Sequence, residues 1–159
     1  DAWGPHQAVT APERGNERLI GVPEDEWPVE HLTNGVFTVF PHVSIAKFDP
    51  AGTLWMVSIL TPGDHAGSST TTQLFLRTSE PDADELAAAQ AHMEFAHHVV
   101  ADEDYATGFG IQRALRSGAK QVCLFGRNEG GAQRFHGFVD RLLTTADNDL
   151  RHLFGPGSS

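Results

Sequence analysis

The chain has 159 residues, a formal net charge of −10 and a single cysteine, Cys123. The negative balance argues against nucleic acid and anionic membrane surfaces as partners, because both would add repulsion between like charges. A lone thiol excludes an intrachain disulfide, a four-cysteine zinc site and a Cys-and-His iron–sulfur site, and it suits a reducing, cytoplasmic setting.

No apolar run reaches the length needed to span a bilayer, and the opening Asp1-Ala2-Trp3-Gly4-Pro5 has neither the basic flank nor the apolar stretch of a signal peptide. The missing initiator Met is what a processed or trimmed chain would show. A chain of this length suits one domain that buries roughly 70% of its unfolded surface, so a self-sufficient core is expected.

Residues 1–33 are rich in Pro, Gly, Glu and His without a sustained period, and they read as an irregular lead-in with one short helix near 24–32. Residues 35–48 read as the first strong strand. Val36, Phe37, Val39, Phe40, Val43, Ile45 and Phe48 put apolar side chains on both faces, so both faces should be covered. Asp49-Pro50-Ala51-Gly52 has turn chemistry, and Thr53 to Leu60 makes a second strand antiparallel to the first.

Thr61-Pro62-Gly63-Asp64-His65-Ala66-Gly67 is a second turn cluster, and Ser69 to Thr78 forms the third strand of a meander. The Ser68-Ser69-Thr70-Thr71-Thr72 run fits β-propensity; hydroxyls on an inward face offering hydrogen bonds to a ligand are the alternative. From Glu80-Pro81-Asp82 the period changes. Asp82 or Asp84 can cap an Ala-rich helix that runs to about Val100.

Asp102, Glu103 and Asp104 follow, and then an amphipathic segment ends at Ser117-Gly118. This places three acids at the entrance of a second helix, where the helix dipole favours carboxylates. A third helix begins near Asn128, its N-cap candidate. Phe135, Phe138, Val139, Leu142 and Leu143 lie on one stripe of it, which must pack on a partner face, most simply the sheet. Strands first and helices afterwards argue for an α+β domain, an antiparallel sheet with C-terminal helices on one face.

Glu103-Asp104, Gln112 eight residues after Asp104, Arg116-Ser117-Gly118, Phe125-Gly126-Arg127-Asn128-Glu129 and Phe135-His136 agree in order and spacing with one family. Together they resemble the C-terminal part of the catalytic domain of Rieske-type ring-hydroxylating oxygenase alpha subunits, over most of residues 1–145. The resemblance implies a helix-grip (START/SRPBCC-like) fold, in which a curved sheet wraps a long C-terminal helix. With the composition, the expected division is the lead-in 1–33, a helix-grip-like catalytic-domain portion 34–146 and a flexible tail 147–159.

The resemblance also implies a mononuclear Fe(II) site with Asp104 as its carboxylate ligand. Val100 would border the substrate pocket, and Gln112 and Asn128 would orient the iron carboxylate or its helix; His97, beside His98, lines the pocket or donates to Asp104, or else the two are ordinary helix histidines. Val100 is equally explained as core, Asn128 as a cap, and Arg127 with Glu129 as a surface pair. Trp3-Gly4-Pro5-His6 is similar to the stretch that follows the family's metal-binding histidines, so His6 itself lies after that motif.

Those upstream histidines are missing here, as are the Cys-X-His and Cys-X-X-His pairs of the [2Fe-2S] Rieske cluster, which is therefore not in this chain. His92 and His97 have the family's His-X4-His spacing, but on a continuous helix they point about 140° apart. The expectation is an oxygenase portion, inactive alone. In the complete enzyme it would hydroxylate an aromatic or other hydrophobic substrate, with O2 and with electrons from a reductase or ferredoxin. The rest of the alpha subunit and a trimer of complete subunits are the implied partners. A metal-free hydrophobic-ligand or interaction module of the same fold is the alternative, and a small partner subunit of an oxygenase is a third reading.

Overall fold

Strand-forming residues dominate the first half of the chain, and six strands form there: β1 (Ala2–Trp3), β2 (His6–Pro12), β3 (Thr33–Val39), β4 (Val43–Lys47), β5 (Leu54–Pro62) and β6 (Ser69–Arg77). The computed structural model describes residues 2–28, 32–47, 54–119 and 122–154. The expected turn Asp49-Pro50-Ala51-Gly52, Phe48 and Thr53 beside it, Asp1 and the final Gly155-Pro156-Gly157-Ser158-Ser159 lie outside those residues.

The strands make one antiparallel meander in the order β1-β2-β3-β4-β5-β6. Three α-helices among the described residues come after it: α1 (Ala83–Val99), α2 (Ala106–Arg116) and α3 (Gly130–Thr144). The class is α+β, as expected. Two units are distinguishable, one of Asp1–Thr61, Thr70–Leu76 and Phe125–Ser159, the other of Pro62–Ser69 and Arg77–Leu124.

In the first unit the expected single strand 35–48 is two strands. Pro41 has no amide hydrogen to give a ladder, so the chain turns at the cis Phe40–Pro41 bond, and β4 pairs back on β3 with Val39 opposite Val43. The lead-in is also more regular than expected. β2 pairs with β3 from Gln7 opposite Thr38 to Pro12 opposite Thr33, and two short 3-10 turns follow at Asn16–Leu19 and Glu24–Glu26. At the other end, Asp147–Phe154 forms 3-10 turns.

Register places Gln7, Thr38, Ser44 and Ser58 in one row on one face of the sheet. Gln73 joins the row, its Nε2 lying 3.4 Å from Met56 Sδ and 3.5 Å from Ser58 Oγ. α3 lies on that face. Phe135 and Phe138 meet Phe40 with ring centroids 5.2 and 5.6 Å apart, and a Cβ at Gly131 would come 3.1 Å from Gln7 Oε1. Phe135, Phe138, Val139 and Leu142 turn inward as the stripe requires, whereas Leu143 is exposed.

Burial is sparser than a self-sufficient core would give. Among the described residues the buried apolar side chains are Ala8, Leu19, Phe40, Leu54, Ala96 and Phe138. The expected cover on both faces of the first strand is not met, since Val36, Phe37 and Val39 remain 43%, 37% and 38% exposed.

In the second unit α1 starts where the sequence asks it to. Asp82, not Asp84, is the cap: Glu85 N donates to Asp82 Oδ1 at 2.9 Å, and Asp82 N donates to Glu85 Oε2 at 3.1 Å. Glu85 also pairs with Arg77 at the end of β6, at 3.1 Å. Asp82→Ala should lower stability by about 1 kcal/mol, because it orphans a first-turn amide. Asp84→Ala should stay within about 0.5 kcal/mol. Urea denaturation of the two variants beside the parent checks the difference.

Candidate functional site

α1 does not end before the acids. Val99 and Val100 keep right-handed helical geometry, residues Val100–Tyr105 form a π-helical turn, and α2 continues from Ala106. Asp102, Glu103 and Asp104 therefore stand within one helical run and not at a helix entrance. The dipole explanation fails with that placement, because the free amides on which it depends exist only at a true helix start. π turns inside α-helices occur often at functional sites, since they push side chains out of the regular helical phase.

All three acids are exposed, and among the described residues none is in an ion pair. His97, Val100 and Asp104 lie on successive turns of this run, with Val100 half-buried and His97 exposed. The His97 ring stands edge-on to His98, centroids 6.2 Å apart. His92 sits in the same unbroken α1 as His97, so the two imidazoles diverge by the full angle expected for five residues. Among the described residues no three His, Cys, Asp or Glu side chains come together in a way that could hold a metal ion.

Gln112 is eight residues beyond Asp104, a rise of about 12 Å along a helix, too far for its amide to reach that carboxylate. It faces a different feature. Tyr105, Gly108, Phe109 and Gln112 form an i, i+3, i+4, i+7 stripe that borders an open recess of about 460 Å³, lined also by Ala66, Gly67 and Ser68 of the β5–β6 turn and by Ser69 at the start of β6. The recess falls wholly within the second unit. Its stripe was readable from spacing alone, but the Ser68-Ser69 wall depends on where the turn folds, which local propensity does not report.

Asn128 belongs to the first unit, in the turn before α3. It does not cap that helix: the cap position falls on Glu129, which caps no amide of the helix with its side chain. The Glu129 carboxylate instead accepts from Gly126 N, and Gly126 O accepts from Glu129 N at 3.0 Å and from Gln133 Nε2 at 2.9 Å. The turn is held by Glu129 and Gln133, so the expected Arg127–Glu129 pair gives way to this local closure. His6 Nδ1, also in the first unit, accepts from Phe40 N at 3.2 Å, a structural bond between β2 and the β3–β4 turn.

The family model for the ring hydroxylating alpha subunit (catalytic domain) matches residues 1–145, from β1 through the π turn to the end of α3. This chain belongs to that family. No curated protein and no solved structure matches it. Membership makes it a ring-hydroxylating oxygenase alpha-subunit chain, of a family whose members are iron-dependent, bind substrate and work in multi-subunit complexes. No helix among the described residues of the alpha-subunit chain is long and apolar enough to cross a membrane.

Proposed function

We propose that this alpha-subunit chain is the carboxylate-bearing portion of a Rieske non-haem iron oxygenase, and that Asp104 is the ligand it contributes to a mononuclear Fe(II). What carries the reading is the coincidence of the family match with an exposed carboxylate, free of ion pairs among the described residues, in a π-helical turn. A ligand carboxylate needs that arrangement: it must be open on one side and not already neutralised by a cation.

The described residues do not complete an iron site, because a facial triad needs two imidazoles beside the carboxylate and no such set converges here. No reaction step is therefore assigned to iron in this chain. The two histidines, the Rieske cluster and the reductase or ferredoxin belong to the rest of the complete alpha subunit and its partners, in which an aromatic or other hydrophobic substrate would be hydroxylated with O2 in the cytoplasm. Val100 and His97, on the turns before Asp104, would border that substrate. Gln112 would act on the helix that carries Asp104 and not on the carboxylate itself.

Anaerobic loading of the purified chain with iron(II), followed by metal analysis, should leave iron at background. About one iron per chain, lost in both Asp104→Ala and His92→Ala/His97→Ala, would overturn the reading by showing that a compact triad forms within this segment. A metal-free ligand-binding module of the same fold is the second reading, and the open recess beside Gln112 favours it. The gene sequence upstream of the Asp1 codon separates the two. Coding for a His-X4-His motif and a Rieske cluster supports the oxygenase, and a start codon there supports the module.

A further inference from the structure

We infer that the outward flank of the π turn and α2, carried by Asp102, Ala106, Phe109 and Arg113, is a self-association surface on which two copies of this chain pair antiparallel about a twofold axis. The inference goes beyond the assignment of Asp104. Asp102 and Asp104, two residues apart, point to nearly opposite sides of the helix, so pairing on one side leaves the other open.

Helical spacing defines the surface. Asp102, Ala106, Phe109 and Arg113 stand at i, i+4, i+7 and i+11, and a step of four is close to one turn in the π winding as well as in the α winding. All four are exposed. The adjacent flank is already occupied: Tyr105, Gly108 and Gln112 face the β5–β6 turn across the recess, and Arg116 lies against that turn, where a Cβ at Gly67 would come 3.4 Å from its Cζ. Phe109 stands between the two flanks, its ring 6.1 Å from Tyr105 and still 62% exposed. The Arg113 guanidinium folds back toward Gly110, where a Cβ would come 3.8 Å from Nη2, and so stays on the open flank.

Charge sets the occupant. One end of the surface is an acid and the other a base, and about 16 Å of helix separates them, so they cannot pair within one copy. Among the described residues neither is in an ion pair. The positions are also palindromic, because 102 and 113 share their midpoint with 106 and 109. A second copy related by a twofold axis through that midpoint puts Asp102 against Arg113 of the other copy twice, and Phe109 against Ala106 twice, as an isologous interface requires. Each large ring then meets a small side chain, the alternation that lets facing helices interdigitate.

Other occupants fit less well. A wholly acidic or wholly basic partner would satisfy one end of the surface and oppose the other. Arg113 in the last turn of α2 also complements the helix dipole, but the dipole there places no demand on Asp102 or Phe109. The contact spans about three helical turns, less than the interface of a permanent dimer, and each copy carries a charge of −10, so the association is a weak one. At about 0.15 M salt the Debye length is about 8 Å, which screens the overall repulsion while sparing pairs in contact.

Sedimentation equilibrium of the purified chain at that salt should show a monomer–dimer equilibrium with a Kd between about 10 µM and 1 mM. Asp102→Arg sets a second cation against Arg113 of the other copy, and Arg113→Asp sets a second carboxylate against Asp102. Each variant alone should associate at least about tenfold more weakly than the parent. Mixed together they restore both pairs, and the mixture should form a one-to-one heterodimer with a Kd within about threefold of the parent value. Rescue by mixing also guards against misfolding, since an unfolded variant cannot restore its partner.

A parent that stays monomeric to about 1 mM overturns the inference, as does a dimer indifferent to both substitutions. Failure of the mixture to recover affinity overturns the antiparallel register. Oligomeric state and iron content are separate readouts, so failure of the pairing leaves the Asp104 assignment untouched, and failure of that assignment leaves the pairing untouched.

Discussion

Phe138→Ala should destabilise the first unit by about 3–5 kcal/mol, the range for removing a buried phenylalanine without collapse of the space it leaves. Phe138 is 4% exposed, and its ring stands 5.6 Å from Phe40 and 6.3 Å from Phe154, with the Arg141 guanidinium 4.6 Å over its face. With so few buried apolar side chains among the described residues, this one joins the sheet, α3 and the closing 3-10 turns, so its loss cannot be spread over a larger core.

Truncation should lower the thermal midpoint by roughly 10 °C for a chain of this size. Phe138→Leu, which keeps most of the volume, should cost about 1.5 kcal/mol or less. Differential scanning calorimetry of the three proteins decides the matter. A shift of under about 2 °C for the alanine variant would mean that α3 does not depend on this contact.

The parts of the fold that were legible in the sequence are those set by local chemistry. Asp82 and Glu85 form a reciprocal cap whose two halves are three residues apart, and the inward stripe of α3 needs nothing beyond helical spacing. Residues that answer to distant partners were not legible. His6–Pro12 has little strand propensity of its own and becomes β2 because β3, more than twenty residues later, offers it a ladder. Between β3 and β4 the apolar pattern runs on unbroken through Phe40, so it hid a turn that Pro41 alone announced.

The candidate site divides in the same way. Asp104 is a candidate from pattern alone, and its exposure follows from the polar run around it. The π turn leaves no mark on the sequence, because one extra residue per turn alters the phase of neighbours without altering their identity. That missed residue turned an expected helix entrance into the middle of a helix. It also changes the meaning of the acids, because capping at a helix start cannot account for them.

Asp104→Ala in the complete alpha subunit should reduce mononuclear iron and hydroxylation by at least about 100-fold, since even residues that only support a ligand cost 10- to 100-fold when removed. The fold should tolerate the change. Asp104 is exposed, and surface substitutions usually fall within about 0.5 kcal/mol. Asp102 and Glu103 serve as internal controls, because consecutive helical positions fan around the axis and cannot all present an oxygen to one ion. Their alanine variants should keep iron close to the parent value.

A purely structural role for Asp104 would lower the yield of folded protein and the absorbance of the Rieske cluster along with the iron. A ligand role removes iron alone and leaves that absorbance intact. Retention of full mononuclear iron by Asp104→Ala would move the carboxylate to another residue, and Glu103, one position away in the same π turn, would be the first to test.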